Sequence, residues 1–335
     1  MKISNLFSGG LITNYYCTSR CAHCLYACSP KWEKQYINIE QTRINFMRAR
    51  YMGCYSVHVG GGEPFLNFEG LLNVLDVAKE EQMGIDYIET NSSWFVNKEK
   101  GEEQLKTVRA KGVSTLLISI SPFHNEHIPY KRVKELISSC QKTGLSIFPW
   151  VQGFMQDLSC FDDSTTHSLE EYRKKFGDNY LASIPNRYWT HFGGRAIETY
   201  KRVFELTPIG NILNENYGCN ELSKTDHFHV DLFGNYIPGL CSGFSIQVDD
   251  LETELDETKY PFINLLHSEG IKAFYEMAVN KYEFKPGDKY LNKCHLCLEI
   301  RKYLVNGINI ESMELQPKQY YEELNYGTPP LRGHS

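Results

Sequence analysis

The feature that most constrains the fold is a loop of three cysteines near the start of the sequence. Cys17, Cys21 and Cys24 have the spacing C-x3-C-x2-C, and they directly follow the apolar, strand-like run 10–16. Three thiols at this spacing can wrap one inorganic cluster, and iron–sulfur clusters normally take four thiolates. A loop that supplies only three therefore leaves one iron open to a substrate or cofactor.

The alternatives for these cysteines are a zinc site, disulfides or buried small residues. Structural zinc usually takes four ligands as two close pairs, and the loop offers three. The first seven residues lack the long apolar segment and cleavage site of a signal peptide, so we expect a cytoplasmic protein with reduced thiols. Eleven cysteines in such a chain indicate metal ligation or redox chemistry.

A second motif follows the loop. The segment 57–64 reads Val-His-Val-Gly-Gly-Gly-Glu-Pro. The loop and this segment together resemble the radical S-adenosylmethionine (SAM) superfamily, whose signature is C-x3-C-x-Φ-C, with His23 at the aromatic position, and whose second barrel strand ends in Gly-Gly-Glu-Pro. Their separation, roughly 40 residues, is what one βαβ unit requires.

The resemblance implies a [4Fe-4S] cluster on Cys17, Cys21 and Cys24, with SAM bound to the open iron. In this family one electron cleaves SAM to methionine and a 5′-deoxyadenosyl radical, which removes a hydrogen atom from the substrate. A flavodoxin- or ferredoxin-type protein is the expected electron donor.

Strands and helices alternate along the first part of the chain. Helices are predicted at 39–47, 71–81, 102–111, 133–143 and 169–175, and strands at 55–59, 85–89, 115–121, 145–151 and 189–192. This alternation predicts an α/β fold with a parallel sheet. About six units match the partial (β/α)6 TIM-like barrel of the radical SAM family, which we assign to residues 1–206. Parallel barrels carry their chemistry at the carboxyl ends of the strands.

Candidate SAM ligands lie at those strand ends. By resemblance, Gly61, Gly62 and Glu63 hold the SAM amino group, although an ordinary turn also needs one of these glycines. Asn91 belongs to a Thr-Asn-Ser segment where many relatives have Thr-Asn-Gly, so Ser92 departs from the pattern. Ser119 and Ser121 follow the fourth strand, and a turn-forming role is the alternative for Asn91 and both serines.

Two further candidates come from resemblance. Arg195, in a Gly-Gly-Arg-Ala segment, corresponds to an arginine directed at the SAM carboxylate, which suits a guanidinium through two parallel hydrogen bonds. An arginine at a helix start is the alternative. His124 lies in a Pro-Phe-His-Asn-Glu-His turn and is a candidate proton carrier, because histidine titrates near neutral pH. A surface turn is the alternative for His124.

A second set of cysteines lies where the alternation stops. Cys219 precedes, and Cys241 follows, a predicted β-hairpin with a Gly-Asn turn at residues 234–235, and Cys294 and Cys297 form a C-x2-C pair that leads into a helix. This arrangement resembles the twitch subdomain of SPASM/twitch radical SAM enzymes, and implies an auxiliary [4Fe-4S] cluster in residues 207–313, before a tail at 314–335. A four-cysteine zinc knot is the alternative.

The resemblance fixes the first step and leaves the outcome open. A fully ligated auxiliary cluster favours net oxidation or a cross-link, because it can accept an electron. Peptide epimerases of the family instead carry a thiol directly after the second auxiliary-cluster cysteine, where this chain has Ser242. Cys28, Cys54, Cys140 and Cys160 are the other candidate thiols, and Cys28 is closest in sequence to the loop. A non-catalytic sensor or assembly protein is a third interpretation.

Charge and hydropathy argue against nucleic-acid and membrane partners. The net charge is −6 and the pI is near 6.0, so no basic stripe favours nucleic acid. No apolar run approaches the roughly 20 residues that span a bilayer. The expected substrate is a small molecule or a peptide.

Overall fold

The computed structural model describes residues 1–148, 152–187, 190–214 and 217–324. Ten strands are present in these ranges: β1 (Gly9–Ile12), β2 (Ser56–Gly60), β3 (Gly84–Thr90), β4 (Thr115–Ile118), β5 (Ser146–Ile147), β6 (Thr207–Pro208), β7 (Phe228–Asp231), β8 (Asn235–Ile237), β9 (Ile246–Gln247) and β10 (Lys289–Tyr290).

The same ranges contain thirteen α-helices: α1 (Ile39–Tyr51), α2 (Phe68–Glu80), α3 (Lys98–Ala110), α4 (Pro122–Asn125), α5 (Tyr130–Thr143), α6 (Gln152–Leu158), α7 (Leu169–Phe176), α8 (Tyr180–Arg187), α9 (Arg195–Tyr200), α10 (Ile209–Leu213), α11 (Pro261–Tyr282), α12 (Lys293–Lys302) and α13 (Lys318–Leu324). None of these helices is both long enough and apolar enough to cross a membrane.

One sheet organises the chain. Its strand order is β5-β4-β3-β2-β1-β7-β8-β9, and all pairs from β5 to β7 are parallel. The helices α1, α2, α3 and α5 connect successive parallel strands. The predicted α/β class with a parallel sheet is therefore confirmed. Within the described ranges the sheet is open, with β5 and β9 at its edges.

The helices form where apolar residues recur at helical spacing. In α5, Val133, Leu136 and Cys140 are buried, and the helix ends at Gly144, which adopts a left-handed conformation with φ of 74°. The predicted helices over 39–47, 71–81, 102–111, 133–143 and 169–175 correspond to α1, α2, α3, α5 and α7.

The last part of the predicted barrel differs from the structure. Residues 149–151 of the fifth predicted strand, and Trp189 of the sixth, lie outside the described ranges, while 190–192 are not in a strand. On the side of β1 away from β2, the neighbouring strand is β7, which begins the predicted hairpin. All four β7 residues are buried, so this strand satisfies its backbone in the interior of the main sheet.

The parallel strands bring the segments after β1, β2, β3 and β4 to one edge. The cysteine loop follows β1, the glycines follow β2, Asn91 follows β3 and Ser119 follows β4. The backbone N–H of Ser119 donates to Thr90 O at 2.9 Å, which ties the last two segments together. This edge is where a parallel α/β sheet places its ligands.

Candidate functional site

A cavity of about 290 Å³ opens at the carboxyl ends of the parallel strands. Most of the residues predicted to bind a cluster or SAM line it: Cys17, Cys21, His23, Cys24, Gly61, Gly62, Asn91 and Ser119, together with the candidates Cys28 and His124. Glu63, Ser121 and Arg195 do not line the cavity and lie just behind its wall.

The cysteine loop is held from behind by Arg195. This side chain is only 2% exposed, and it donates from Nε to Cys21 O at 2.9 Å and from Nη2 to Cys28 O at 2.5 Å. The Arg195 backbone N–H donates to Cys24 O at 3.0 Å. Nη1 of Arg195 is buried with no hydrogen-bond partner in the described part of the chain. The guanidinium therefore fixes the loop backbone, and one donor remains unused.

The thiols of the loop differ in acidity. A hydrogen bond from Cys28, with the nearby Arg195 charge, lowers the pKa of Cys24 to about 5. The same hydrogen bond, together with burial, raises the pKa of Cys28. Burial raises the pKa of Cys17 to about 12. Asn91 Nδ2 donates to Cys17 Sγ at 3.2 Å, a contact that suits a sulfur atom carrying negative charge. Three thiols facing one cavity, with donors behind them, fit an iron–sulfur cluster.

The glycines after β2 allow a close backbone approach. A Cβ atom on Gly62 would lie 2.0 Å from Tyr16 O, and one on Gly61 would lie 2.5 Å from Asn14 O, where φ is also +137°. The Gly62 N–H donates to Asn14 O at 2.7 Å. Both glycines are therefore needed to pack this segment against the start of the cysteine loop.

Glu63 joins two strand ends. Its carboxylate is fully buried and accepts hydrogen bonds from Asn91 N at 2.6 Å, Phe65 N at 3.2 Å and Thr90 Oγ1 at 3.0 Å. Burial raises its pKa to about 7, although these donors oppose the shift. The carboxylate thus positions Asn91, which itself contacts Cys17.

Ser92 adopts a left-handed conformation with φ of 70°, at the position where the family pattern has glycine. The turn therefore keeps the backbone conformation that glycine favours, even though the residue differs.

The histidines of the loop and of the Pro-Phe-His turn form one aromatic wall. His23 stacks on Phe123 with ring centroids 4.4 Å apart, and its edge meets His124 at 5.0 Å. Ser121 Oγ lies 2.7 Å from His124 Nδ1, which fixes the ring. Burial lowers the pKa of His124 to about 3, so this imidazole is neutral.

The second set of cysteines lines a second cavity. Cys219, Cys241, Cys294 and Cys297 all face it, and Lys293 and Arg301 line the same walls. The Arg301 side chain lies in contact with the Cys297 thiol and donates from Nη1 to Ser242 O at 2.9 Å, while its buried Nε has no partner among the described residues. The structure therefore brings together all four predicted ligands.

The two cavities share a wall. His191 and Leu240 line both of them. Ser242, which follows Cys241, donates from Oγ to Leu25 O at 2.7 Å, next to Cys24. The residue directly after Cys241 is therefore a serine bound to the cysteine loop. Of the four unassigned cysteines, only Cys28 lines the first cavity, whereas Cys54 and Cys140 are core residues and Cys160 is on the surface.

Sequence reasoning missed a polar cluster inside the sheet. His58 on β2 and His229 on β7 meet with their Nε2 atoms 2.9 Å apart, and His227 is adjacent. Glu89 and Tyr26 lie beside them. No sequence motif spans residues 171 positions apart, but the His-x-His pattern of 227–229 in a predicted strand indicates two imidazoles on one face.

Comparisons with known proteins give one sequence relative. No protein-family model matches the chain. The chain is 25% identical over 169 residues to the "putative peptide biosynthesis protein YydG" of Bacillus subtilis strain 168. The aligned region spans 49% of this chain and 49% of that relative, so the chain covers about half of its length.

Solved structures are similar at a lower level. The structure titled "native anSMEcpe with bound AdoMet and Kp18Cys peptide" has a TM-score of 0.45 at 14% identity, over 90% of this chain and 98% of that one. BtrN in complex with AdoMet and 2-DOIA gives 0.40 at 13% identity, over 81% and 90%. Streptococcus suis SuiB bound to precursor peptide SuiA gives 0.35 at 14%, over 93% and 74%.

The motifs of the sequence come together at one place in the fold. The C-x3-C-x2-C loop, the Gly-Gly-Glu-Pro segment and the polar ends of β3 and β4 meet around one cavity. They meet at the carboxyl edge of a parallel α/β sheet, where the resemblance requires them. In these motifs and in their placement the chain resembles the radical SAM superfamily.

Proposed function

We propose that this protein is a radical SAM enzyme that oxidises or cross-links a peptide, with an auxiliary [4Fe-4S] cluster as electron acceptor. One observation carries the proposal: two separate cysteine sets line two cavities that share His191 and Leu240. When bound, SAM and the first cluster would supply a 5′-deoxyadenosyl radical that takes one hydrogen atom. The auxiliary cluster would accept the second electron, and the accompanying proton would leave to solvent.

The residues of the first cavity bind and orient these groups. Cys17, Cys21 and Cys24 are the proposed cluster ligands, and His23, Gly61, Gly62, Asn91 and Ser119 are the proposed wall of the SAM site. Glu63, Ser121 and Arg195 act from behind this wall by holding Asn91, His124 and the cysteine loop. Glu63 and Arg195 were expected to contact SAM directly, and their hydrogen bonds support a positioning role instead.

Charged groups beside the second cysteine set suit an iron–sulfur cluster. Lys293 and Arg301 would balance the negative charge of four thiolates, and the unused Nε of Arg301 offers a donor.

The preference for a peptide comes from the sequence relative, whose name refers to peptide biosynthesis. We propose residues 1–206 as the radical SAM domain and 207–313 as the twitch-like region, although β7 and β8 of that region extend the main sheet.

A candidate peptide deuterated at one residue should transfer deuterium to 5′-deoxyadenosine. Transfer from a small molecule but from no peptide would overturn the peptide assignment.

The enzymatic activity is tested with reduced protein and SAM alone. The proposal predicts release of methionine and 5′-deoxyadenosine in equal amounts, with a dithionite-type reductant replacing the flavodoxin- or ferredoxin-type donor. A non-catalytic sensor or assembly protein would release neither, even with both clusters present.

Epimerisation is a second candidate function, because Cys28 is the one unassigned thiol in the first cavity. Return of hydrogen from Cys28 would leave the peptide mass unchanged in H2O, and would add one deuterium in D2O. Oxidation would instead lower the mass by two hydrogens. If the Cys28→Ala variant still epimerises the substrate, the thiol role assigned to Cys28 is wrong.

A further inference from the structure

Three histidines meet inside the sheet, below the cavity described above. His58 and His229 lie on β2 and β7, on either side of β1, and both are in register with Gly10. A Cβ atom on Gly10 would lie 2.2 Å from His58 Nε2. The absent side chain of Gly10 therefore creates the space in which the two imidazoles meet.

The third imidazole is that of His227, which directly precedes β7. His227 lies two residues before His229, so both side chains point to one face. The His227 ring stacks on that of His58 with centroids 5.4 Å apart, and its edge meets His229 at 5.0 Å. One ring nitrogen from each histidine lies within 4.8 Å of the other two.

We infer that His58, His227 and His229 form a site for a divalent transition-metal ion, with Zn2+ as the best-suited ion and an open fourth position. Zinc sites of three histidines and one further position are a recurrent protein arrangement. A zinc ion with nitrogens about 2.0–2.1 Å away holds them about 3.3 Å apart. The His58–His229 pair, at 2.9 Å, needs to open by a few tenths of an ångström, and the two pairs with His227 lie within 4.8 Å.

Neighbouring groups orient the proposed ligands. Tyr26 Oη lies 2.8 Å from His229 Nδ1, which leaves Nε2 directed at the site, and the His58 ring is also hydrogen-bonded to the Gly9 backbone. Metal-binding histidines usually have such a partner on the second ring nitrogen. Glu89 Oε1 lies 3.8 Å from His58 Nε2, so a carboxylate is available beside the imidazoles.

The site opens towards the first cavity. His227, His229 and Glu89 all line that cavity, and the Glu89 side chain keeps 40% of its surface accessible. A bound ion would therefore present a Lewis-acidic position to a substrate carbonyl or carboxylate in the same space. This inference does not depend on the auxiliary cluster or on turnover of SAM.

The ordinary alternative is a hydrogen-bonded network. In it, Tyr26 donates to His229, and one Nε2 of the His58–His229 pair donates to the other. Metal binding distinguishes the two arrangements, because a network with its nitrogens already paired retains no ion.

The test uses the protein with its clusters reconstituted anaerobically, so that the cysteines are occupied. One equivalent of Zn2+ is added, loosely bound metal is removed, and zinc, iron and sulfide are counted. We expect about one zinc per chain with iron unchanged, and zinc-edge X-ray absorption showing only nitrogen and oxygen ligands at about 2.0–2.1 Å. No retained zinc, or zinc with sulfur at about 2.3 Å, would overturn the site.

Variants locate the ion. His58→Gln and His229→Gln should each weaken Zn2+ binding at least tenfold, and Tyr26→Phe about tenfold, because it removes the group that orients His229. His167→Gln is the matched control, since His167 contacts Asp162 and Glu171 at the surface and does not line the cavity. Far-UV circular dichroism and iron content check folding. Unchanged zinc affinity in a folded His229→Gln protein would contradict the inference.

Discussion

At the scale of single residues, the loop thiols depend on a shell of buried polar side chains. Arg195 binds the carbonyls of Cys21 and Cys28, and Glu63 binds the backbone of Asn91, which in turn contacts Cys17. Neither Arg195 nor Glu63 lines the cavity. Their contribution is to fix the positions of groups that do line it.

Replacing Arg195 by lysine should shorten the lifetime of the first cluster. A lysine ammonium cannot reach both carbonyls as the planar guanidinium does, so the loop loosens. We expect cluster absorption to bleach several-fold faster in air than in the wild type, because the loop carbonyls lose a donor. Arg187→Lys is the control, because Arg187 binds Asp157 and Gly153 at the surface. Equal bleaching rates for both variants would contradict the role of Arg195.

Replacing Glu63 by glutamine should destabilise the folded protein. The amide keeps one acceptor oxygen and loses the other, so the buried N–H of Asn91 or of Phe65 is left unpaired. An unsatisfied buried donor costs about 1–3 kcal/mol, which urea unfolding would measure. Glu135→Gln on the exposed face of α5 is a matched control, expected to change the unfolding free energy by less than about 0.5 kcal/mol. If both variants unfold alike, the Glu63 carboxylate is not a structural link.

At the scale of elements, the first turn of α11 is hydrogen-bonded to the buried carboxylate of Glu314. Glu314 accepts hydrogen bonds from Phe262 N at 2.8 Å and from Ile263 N at 2.7 Å, in the first turn of the helix. Burial raises the pKa of Glu314 to about 8, against the effect of these donors. The native state therefore retains a proton that the unfolded chain has already released at neutral pH.

The raised pKa of Glu314 makes the free energy of unfolding depend on pH. The carboxyl group stabilises the fold fully below its unfolded pKa near 4.5, and loses that contribution as pH rises through about 8. Wild type should therefore lose unfolding free energy relative to Glu314→Gln between about pH 5 and pH 8, by up to roughly 1.4 kcal/mol per pH unit. Urea unfolding at several pH values measures the difference. A difference that stays constant, or grows with pH, would show that Glu314 is ionised in the native state.

The alternation of strands and helices made most of the parallel sheet predictable, because each βα unit carries its own periodicity. The helix from 133 to 143 and the strand from 85 to 89 were located from local pattern alone, and the structure confirms both. The position of β7 beside β1 was not predictable, since their pairing joins Gly10 to His229 across more than 200 residues. A strand that pairs at such distance leaves no local signal beyond its own alternation.

The site was predictable for a similar reason. Cys17, Cys21, Cys24 and the glycines are contiguous motifs, and their convergence follows from the parallel sheet. The backing roles of Arg195 and Glu63, and the meeting of His58 with His229, depend on side-chain directions in three dimensions. Spacing along the sequence does not encode those directions.

At the scale of the whole molecule, we propose that the two cysteine sets hold two separate clusters. The two cavities adjoin at His191 and Leu240, and Ser242 links Cys241 to the loop beside Cys24. An electron leaving a substrate in the first cavity would thus have an acceptor site directly behind the shared wall.

The most direct measurement is iron and sulfide per chain after anaerobic reconstitution. The account predicts about eight irons for wild type, and about four for a variant with Cys17, Cys21 and Cys24 all replaced by alanine. A variant lacking Cys219, Cys241 and Cys294 should also hold about four, and the buried-core control Cys140→Ala about eight. Wild type with about four irons, and almost none after loss of the loop thiols, would contradict the two-cluster account.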